Sequence, residues 1–363
     1  MVISPAFWKN KKVFLTGHTG FKGSWLSLWL QKLGAELTGY SLPPPTNPSL
    51  YELAWAGKHM RSIEADVRDA DRLGKSISTC QPDIVIHLAA QSLVLPSYAD
   101  PLTTYATNIM GTVNLLEATR HCGSVRVVIN VTSDKCYENH GGNRGFSESD
   151  PMGGFDPYSS SKGCAELVTS AYRHSFYSDA GHGNKPVATA TARAGNVIGG
   201  GDWSPYRLIP DIMQAFIAHR TAVIRNPEAT RPWQHVLEPL GGYLRLAECM
   251  WQDTTGYSEA WNFGPDEKDT RAVSWIADEL VRLWGGEARW ETDSNSHPKE
   301  ATSLRLDCSK AKSRLGWAPR LDLLTALTWT VEWFKSYDSG SDMRLVTEKQ
   351  IDRCQNMDSH CDQ

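Results

Sequence analysis

A glycine-rich segment near the start of the chain constrains the fold more than any other feature. Gly17-His-Thr-Gly20-Phe-Lys-Gly23 separates a short apolar run, Lys12-Val-Phe-Leu-Thr16, from a segment with apolar residues at helical spacing, Ser24 to Leu33. Glycines let a backbone turn tightly and approach a pyrophosphate, which the N–H groups of the next helix can hold. The spacing is one residue longer than that of the G-x-G-x-x-G pattern, and a glycine-rich turn by itself is often only a turn. Its position between a strand and a helix predicts a dinucleotide-binding loop.

Further apolar runs of strand length follow in the first half of the chain: Ala35 to Tyr40, Ile84 to Ala90, Val125 to Thr132 and, more weakly, Val187 to Arg193. Such runs are typical of parallel strands that are covered on both faces. Their alternation with helical segments predicts an α/β fold with a doubly wound, Rossmann-type parallel sheet. We expect this domain to span 1–200 and a smaller domain that caps the sheet to span 201–335, with an interleaved boundary. We expect 336–363 to be a polar C-terminal tail with at most one loosely docked helix.

Composition and charge argue against several classes of protein. The 363 residues include 37 basic and 41 acidic side chains, so the formal net charge of −4 does not favour a nucleic-acid or anionic-membrane partner. The eight cysteines are scattered without a C-x-x-C pair, which indicates thiols in a reducing compartment and no metal site. No apolar run approaches the roughly 18–20 residues that span a bilayer, and the N-terminus lacks the apolar core of a secretory signal. We therefore expect a cytoplasmic protein.

The choice between NAD and NADP is less constrained than the dinucleotide prediction. An NAD site usually has an acidic residue after the second strand, where it binds the adenosine ribose hydroxyls. Here that strand ends in Tyr40-Ser-Leu-Pro, and no clear basic residue for a 2′-phosphate follows. Asp66 and Val67, after a plausible third strand, are candidates for contact with the adenine ring. An ordinary loop aspartate is an equal alternative.

A tyrosine and a lysine further along the chain predict acid–base chemistry. Tyr158 and Lys162 are four residues apart, which places a phenol and an ammonium on the same face of a helix. A nearby cation favours the phenolate, so we expect a lowered pKa for Tyr158, as a base acting on a sugar hydroxyl requires. This spacing is common by chance on surface helices. Its weight comes from its position downstream of the glycine loop and of Thr132-Ser-Asp-Lys135 at a strand end.

Together these motifs resemble those of the extended short-chain dehydrogenases/reductases, the family of nucleotide-sugar epimerases and dehydratases. The resemblance covers nearly the whole chain and rests on Gly17, Gly20 and Gly23, His87-Leu-Ala-Ala-Gln91, Thr107-Asn108-Ile-Met-Gly-Thr-Val-Asn114, Thr132 to Lys135, Tyr158 with Lys162, and Arg193-Ala-Gly-Asn-Val-Ile-Gly199. It implies NAD as the cofactor and a homodimer or higher homo-oligomer. The implied cofactor contacts are Gly17, Thr19, Gly20, Phe21, Lys22, Gly23, Leu88, Ala89, Ala90, Asn108, Tyr158 and Lys162.

The residues that follow Thr132 distinguish the activities of this family. The 4-epimerases need only the tyrosine and a small hydroxyl there, whereas the hexose 4,6-dehydratases carry an acid and a base, so Ser133-Asp134-Lys135 resembles the dehydratase pattern. The resemblance implies that Tyr158 takes the C4 hydroxyl proton while Ser133 hydrogen-bonds the same oxygen. Lys135 would remove the C5 proton, once it has lost its own, and Asp134 would protonate the departing C6 hydroxyl. A turn aspartate and a solvated lysine are the alternatives.

Substrate contacts are expected mainly from arginines, since guanidinium groups suit phosphate oxygens. Arg231 and Arg305 match positions that bind substrate phosphate in related enzymes, with a surface arginine paired to a carboxylate as the alternative. The remaining candidates are Gln91, Arg193, Asn196, Arg207 and His297. The implied activity is a nucleotide-sugar 4,6-dehydration that supplies deoxysugar precursors for surface polysaccharide. A nucleotide-sugar 4-epimerase or reductase, and a non-catalytic dinucleotide sensor on the same fold, are the alternatives.

Overall fold

The apolar runs predicted as strands lie in one seven-stranded sheet in the computed structural model, which describes residues 3–139, 141–142, 144–178, 186–293 and 304–357. The strands are β1 (Lys12–Thr16), β2 (Glu36–Ser41), β3 (Arg61–Glu64), β4 (Ile84–His87), β5 (Val127–Val131), β6 (Ala188–Ala194), β7 (Asn196–Ile198), β8 (Ala222–Ile224), β9 (Thr230–His235), β10 (Ala260–Phe263), β11 (Thr270–Ala272) and β12 (Trp290–Thr292). The α-helices are α1 (Pro5–Trp8), α2 (Phe21–Lys32), α3 (Leu50–Leu53), α4 (Ala70–Cys80), α5 (Val94–Ala99), α6 (Pro101–Tyr105), α7 (Gly111–Arg120), α8 (Pro157–Tyr172), α9 (Leu208–Ile217), α10 (Leu237–Gln252), α11 (Val273–Trp284), α12 (Leu323–Asp338) and α13 (Met343–Asn356). None of the helices in these ranges is both long and apolar enough to cross a membrane.

All strands of the main sheet run parallel, in the order β10-β6-β5-β4-β1-β2-β3. The order reverses between β1 and β4, whose register pairs Val13 with Ile84 and Thr16 with His87. Loops that leave the carboxyl ends of two such strands diverge to opposite faces of the sheet and open a crevice between them. The predicted doubly wound fold is therefore confirmed, and the glycine loop after β1 lies at this crevice.

Helices cover both faces of the sheet, which explains why its strands are continuous apolar runs. Along β1, Val13 and Leu15 face one side and Phe14 faces the other, and all three are buried. The first side packs against α2, α10 and α12, with Trp25 of α2 fully buried there. The second side packs against α4 and α7, where Leu73 is fully buried. The core is thus two apolar layers separated by the sheet.

The smaller part of the molecule is interleaved with the main sheet. Strands β11, β9 and β7 form a three-stranded sheet, and β8 pairs with β12. Strand β10, although it lies late in the chain, returns to the edge of the main sheet beside β6. The chain from β7 onward therefore contributes both to the main sheet and to the small sheets beside it.

The segment after α12 differs from the expectation of a loosely docked tail. It forms α13, in which Met343, Thr347 and Ile351 are buried at intervals of four residues. Thr347 accepts a hydrogen bond of 2.9 Å from Trp333 Nε1 of α12. The expectation is wrong because the polar composition of this segment conceals one narrow buried stripe on a helix.

Trp333 also fixes the loop that leaves β7. A Cβ on Gly200 would lie 1.9 Å from Trp333 Cγ, so this close approach requires glycine. The Gly200 carbonyl accepts a hydrogen bond of 3.0 Å from Trp25 Nε1 of α2. The loop continues to Arg207, which donates a hydrogen bond of 3.3 Å to Ser92 in the segment after β4. Packing between α2 and α12 therefore sets where this arginine lies.

Substitution of Gly200 by alanine should destabilise the fold and disturb this loop. The added methyl group would overlap the Trp333 ring, and overpacking of this kind typically costs about 1–3 kcal/mol in the free energy of unfolding. Gly74→Ala is the matched control, because no heavy atom lies within 4 Å of the Cβ it would add on α4. Thermal unfolding should show a lower midpoint for Gly200→Ala and an equal or higher midpoint for Gly74→Ala. Equal midpoints for the two variants would contradict the assignment.

Candidate active site

The glycine loop packs against the start of α2 and the segment after β4. A Cβ on Gly23 would lie 2.0 Å from the Gly17 carbonyl oxygen, and a Cβ on Gly17 would lie 2.7 Å from the Ala89 nitrogen. Gly17 has a φ of 74°, in the left-handed region that favours glycine. Helix α2 follows Gly20 directly, and no side chain caps its first turn. Its N–H groups and its dipole are therefore available to an anion, which fits the pyrophosphate of a dinucleotide.

Other predicted cofactor residues surround this loop. The Thr19 hydroxyl donates a hydrogen bond of 2.8 Å to the Leu42 carbonyl after β2, which ties the loop to the neighbouring strand. Phe21 lies against Gly199, at the start of the loop after β7. Residues Leu88–Ala90 are half-buried after β4. The structure brings these residues together around the crevice between β1 and β4.

The predicted adenine residues lie after β3. The Asp66 carboxylate accepts hydrogen bonds of 2.8 Å from the Arg68 backbone N–H and from Arg68 Nε, and this pairing lowers the pKa of Asp66. Val67 is buried against Gly111 of α7. These contacts are internal to the protein, so the contact of either residue with adenine stays a prediction.

Asn108 and Gln91 connect the segment after β4 to α8. The Asn108 amide accepts from Gln91 N at 2.9 Å and donates to Gln91 O at 2.9 Å and to Ser161 Oγ at 2.8 Å. The Gln91 amide in turn bonds with Leu93 and Thr104. The side chain of Gln91 thus bonds within its loop and with Thr104 of α6, and its contact with the sugar stays a prediction. Both residues hold the loop after β4 against α8.

The tyrosine and the lysine lie on the buried face of α8, next to the end of β5. Ser133, which follows β5, interacts with Tyr158 and lowers the pKa of its phenol. Lys162 Nζ donates a hydrogen bond of 3.3 Å to the carbonyl of Val131, the last residue of β5. All four residues are buried. The phenol, the hydroxyl and the ammonium therefore lie within one desolvated cluster.

The expectation of a lowered pKa for Tyr158 is wrong. Burial raises the pKa of Tyr158 to about 12, and the interaction with Ser133 offsets only part of this shift. Burial also lowers the pKa of Lys162 to about 8. The Lys162 ammonium donates to the Val131 carbonyl, and its charge does not compensate for the loss of water around the phenol.

Asp134 and Lys135 follow in a short 3₁₀ turn, Asp134–Cys136. Ser133 Oγ donates a hydrogen bond of 3.0 Å to Asp134 Oδ1, and a Cβ on Gly195 would lie 2.7 Å from Asp134 Oδ2. Burial raises the pKa of Asp134, although the charge of Lys135 opposes the shift. Lys135 itself is half-buried. A buried carboxyl whose pKa is raised can hold a proton and then donate it.

Lys22 brings a further cation from the first turn of α2 to this cleft. Its side chain is half-buried, and burial together with the charges of Arg207 and Lys162 lowers the pKa of Lys22 to about 7. The carboxylate of Asp134 acts in the opposite direction. The charges on α2, on α8 and on the turn after β5 therefore act on one another.

Two of the predicted substrate arginines affect the pKa values of Tyr158 and Asp134. Arg207 Nη1 pairs with the buried carboxylate of Asp202 at 2.9 Å, and the Arg207 charge lowers the pKa of Tyr158. Arg231 lies on β9, and its charge lowers the pKa of Asp134. Both arginines thus lie within electrostatic reach of the Tyr158 and Asp134 cluster.

Three of the remaining substrate candidates are Arg305, Asn196 and His297. Arg305 Nη1 pairs with Glu267 at 2.7 Å, which is the alternative that the sequence left open for this residue. Asn196 is half-buried on β7, opposite Trp233 of β9. His297 lies outside the described residues.

Arg193 lies within the fold and does not line the cleft. Its Nη2 pairs with Glu166 of α8 at 2.8 Å, its Nη1 donates to the Tyr137 hydroxyl at 2.6 Å, and both members of the ion pair have side chains only 4% exposed. The expected contact of Arg193 with substrate is therefore corrected. Its guanidinium is already satisfied by protein groups, and a buried charge pair is costly to separate.

Sequence reasoning missed three residues that shape this site. Glu166, four residues after Lys162, is the partner of Arg193. Gly195 makes room for the Asp134 carboxylate, and Asp202 orients Arg207. The spacing of Glu166 on the catalytic helix was the available signal, whereas the other two contacts cross the fold.

Comparison with known proteins agrees with this geometry. The sequence model of the family described as GDP-mannose 4,6 dehydratase matches residues 14–328. The CDP-glucose 4,6-dehydratase of Salmonella typhimurium is 51% identical over 350 residues, which cover 96% of this chain and 98% of that protein. The UDP-glucose 4-epimerase of Mycolicibacterium smegmatis is 26% identical over 330 residues, with coverage of 90% and 99%.

A solved structure shows the same fold. The crystal structure of the dTDP-glucose 4,6-dehydratase DesIV from Streptomyces venezuelae, which contains NAD, superposes with a TM-score of 0.75 at 22% identity. The match covers 92% of this chain and 99% of that chain. Dehydratases and epimerases thus share one scaffold, and the residues of the site must decide between them.

Substitution of Gly23 by alanine should weaken dinucleotide binding by more than about tenfold, because the new Cβ would force the Gly17 carbonyl away from the helix start that holds the pyrophosphate. Gly74→Ala on α4 is the control, since its added Cβ would meet no heavy atom within 4 Å and the residue is not among the predicted cofactor contacts. Titration calorimetry with NAD measures both variants. Equal losses of affinity would show that the close approach at Gly23 is not what shapes the loop.

Proposed function

The chain belongs to the GDP-mannose 4,6-dehydratase family, and from this membership we propose that it catalyses the 4,6-dehydration of CDP-D-glucose to CDP-4-keto-6-deoxy-D-glucose. The activity is that of a hydro-lyase. The choice of cytidine rests on the likeness to the Salmonella typhimurium enzyme and on Arg231-Pro-Trp-Gln-His-Val236, which is similar to that type. The cofactor is NAD, as in the solved dehydratase of the same fold.

One observation carries this proposal: a buried carboxyl adjoins the tyrosine and hydroxyl that a simple 4-epimerase would need. Asp134 accepts a hydrogen bond from Ser133, and Ser133 lowers the pKa of Tyr158. Burial raises the pKa of Asp134, which favours a protonated carboxyl. An acid at this place serves the loss of a hydroxyl group as water, a step that 4-epimerisation does not include.

The first step belongs to Tyr158 and Ser133. Tyr158 removes the proton of the C4 hydroxyl while Ser133 hydrogen-bonds the same oxygen as it becomes a ketone. Because burial raises the pKa of Tyr158 to about 12, the phenolate needs positive charge nearby, and the charge of Arg207 acts in this direction. NAD supplies the redox chemistry when bound, by accepting the C4 hydride and returning it to C6, so the cycle is redox-neutral.

The elimination belongs to Lys135 and Asp134. The C4 ketone acidifies the C5 hydrogen, which Lys135 removes as a proton and gives back to C5 when the hydride reaches C6. Asp134 donates its proton to the C6 hydroxyl, which leaves as water. The two side chains are adjacent in sequence after β5, so one short turn provides both groups.

The substrate diphosphate would be held by the arginines at the cleft. Arg207 and Arg231 lie within electrostatic reach of Tyr158 and Asp134, which suits a phosphate next to the reacting sugar. Arg305, now paired with Glu267, is the third candidate. Asn196 on β7 and His297 complete the proposed substrate set.

The proposal extends to the oligomeric state and the cellular setting of the enzyme. Helices α6 and α8 each expose a large apolar side chain, Leu102 at 81% and Leu167 at 61%. Such side chains favour burial against a second copy of the chain, so we propose a homodimer or higher homo-oligomer. A cytoplasmic role in deoxysugar biosynthesis for lipopolysaccharide of the O-antigen type would suit the product.

Product mass tests the proposal directly. The purified protein is incubated with CDP-, dTDP-, GDP- and UDP-glucose, each with and without added NAD, and the products are analysed by mass spectrometry. We expect loss of one water from CDP-glucose alone, without net formation of NADH. An unchanged mass with an altered sugar configuration would favour a 4-epimerase, and water loss from another nucleotide sugar would correct the base.

Exchange of Lys135 for methionine should abolish loss of water while C4 oxidation survives, because only the C5 base is removed. The expected signature is absorbance of NADH that rises and persists with CDP-glucose, with no product that has lost water. Lys349→Met, at an exposed position of α13, is the control and should behave as the wild type. Water loss at a normal rate in Lys135→Met would exclude this role for Lys135.

A further inference from the structure

A buried carboxylate on the catalytic helix has no role in the reaction described above. Glu166 of α8 lies one turn after Lys162, and its side chain is 4% exposed. Burial of an ionised carboxylate is costly unless hydrogen bonds and opposite charge compensate for it. Glu166 has both hydrogen bonds and an oppositely charged partner, and the positions of these partners indicate what the residue does.

The partners of Glu166 come from two adjacent strands of the sheet. Arg193 Nε and Nη2 of β6 donate to its two oxygens at 2.9 and 2.8 Å, and the Thr191 hydroxyl of β6 donates to Oε2 at 2.7 Å. The Thr132 hydroxyl donates to Oε1. The pairing with Arg193 keeps the pKa of Glu166 below its usual range, so the group is an anion.

Thr132 differs from the other partners in its position in the chain. It directly precedes Ser133, Asp134 and Lys135, whereas Thr191 lies inside β6 with no catalytic neighbour in sequence. Tyr158 and Lys162 lie on the helix that carries Glu166. The Thr132–Glu166 hydrogen bond therefore joins the two parts of the catalytic cluster.

We propose that Glu166 is a positioning residue, which holds the Ser133–Lys135 turn in register with Tyr158 and Lys162 through its hydrogen bond with Thr132. The inference rests on the proposed dehydration, because it concerns the alignment of the acid and base of that reaction. Glu166 itself touches neither substrate nor cofactor. It acts by fixing the end of β5 against α8, and displacement of a catalytic group by about 1 Å can cost on the order of a hundredfold in rate.

Two isosteric substitutions separate this role from a purely structural one. Thr132→Val and Thr191→Val each remove one hydroxyl that donates to Glu166, and both sites are buried. The kcat and KM for loss of water from CDP-glucose, and the midpoint of thermal unfolding, are measured for both variants and the wild type. Wild-type turnover in the same assay tests the proposed function by itself.

We expect Thr132→Val to lower kcat by about tenfold or more with KM changed less than about threefold, since substrate binding does not depend on this turn alone. Thr191→Val should keep kcat within about threefold of the wild type, at a similar loss of thermal stability. Equal effects of the two variants on kcat would overturn the proposal, because the Thr132 hydrogen bond would then matter no more to turnover than the Thr191 hydrogen bond.

Removal of the charge gives a second, independent readout. The Glu166 carboxylate opposes the lowering of the Lys162 pKa, which stands at about 8, so Glu166→Gln should lower that pKa further. Cys136, His87 and Lys22 also face Lys162, but burial keeps the first two neutral and Lys22, with a pKa of about 7, loses its proton first. The alkaline limb of the kcat profile should therefore move to lower pH by about one unit, while Glu166→Asp should restore it. An unmoved limb in Glu166→Gln would contradict the coupling to Lys162.

Discussion

The close approach of Gly23 to the Gly17 carbonyl is the contact on which the rest of the site depends. Without a side chain at either position, α2 can begin directly above the carboxyl end of β1, at the point where the strand order reverses. This puts the free N–H groups of the helix, and the cation of Lys22, at the crevice that opens there. The turn after β5 and the loop after β7 reach the same crevice from the other side, so the reacting groups assemble around the start of one helix.

Much of the fold follows from the sequence because the main sheet is buried on both faces. A strand such as β1 places Val13 and Phe14 on opposite faces, and since both faces are covered both residues must be apolar. Helix α13 could not be recognised in the same way, because its buried positions form one narrow stripe in a polar segment. Where a helix buries only a few residues, its composition is set by the exposed residues, and the packed side cannot be predicted from composition.

The site was predictable in its chain positions but not in its side-chain partners. The Tyr158 and Lys162 spacing and the residues after Thr132 indicate which groups lie at the carboxyl end of the sheet. Whether Arg193 faces the cleft depends on Glu166, which meets it only after α8 packs on β6. Likewise the pKa of Tyr158 is set by how much water the folded site excludes. Contacts across the fold decide such questions, and local spacing does not contain them.

Burial acts on four titratable groups of the cluster in one direction, towards the uncharged form. It raises the pKa of Asp134 and of Tyr158, and it lowers the pKa of Lys162 and of Lys22. The proposed elimination needs a protonated carboxyl as its acid, and the desolvation of Asp134 favours that state. The phenolate of Tyr158 is the exception, because it must carry charge in the same environment. Arg207 lowers the pKa of Tyr158 without offsetting its desolvation, so the proposed phenolate needs further positive charge, while the Asp134 carboxyl lies against Gly195.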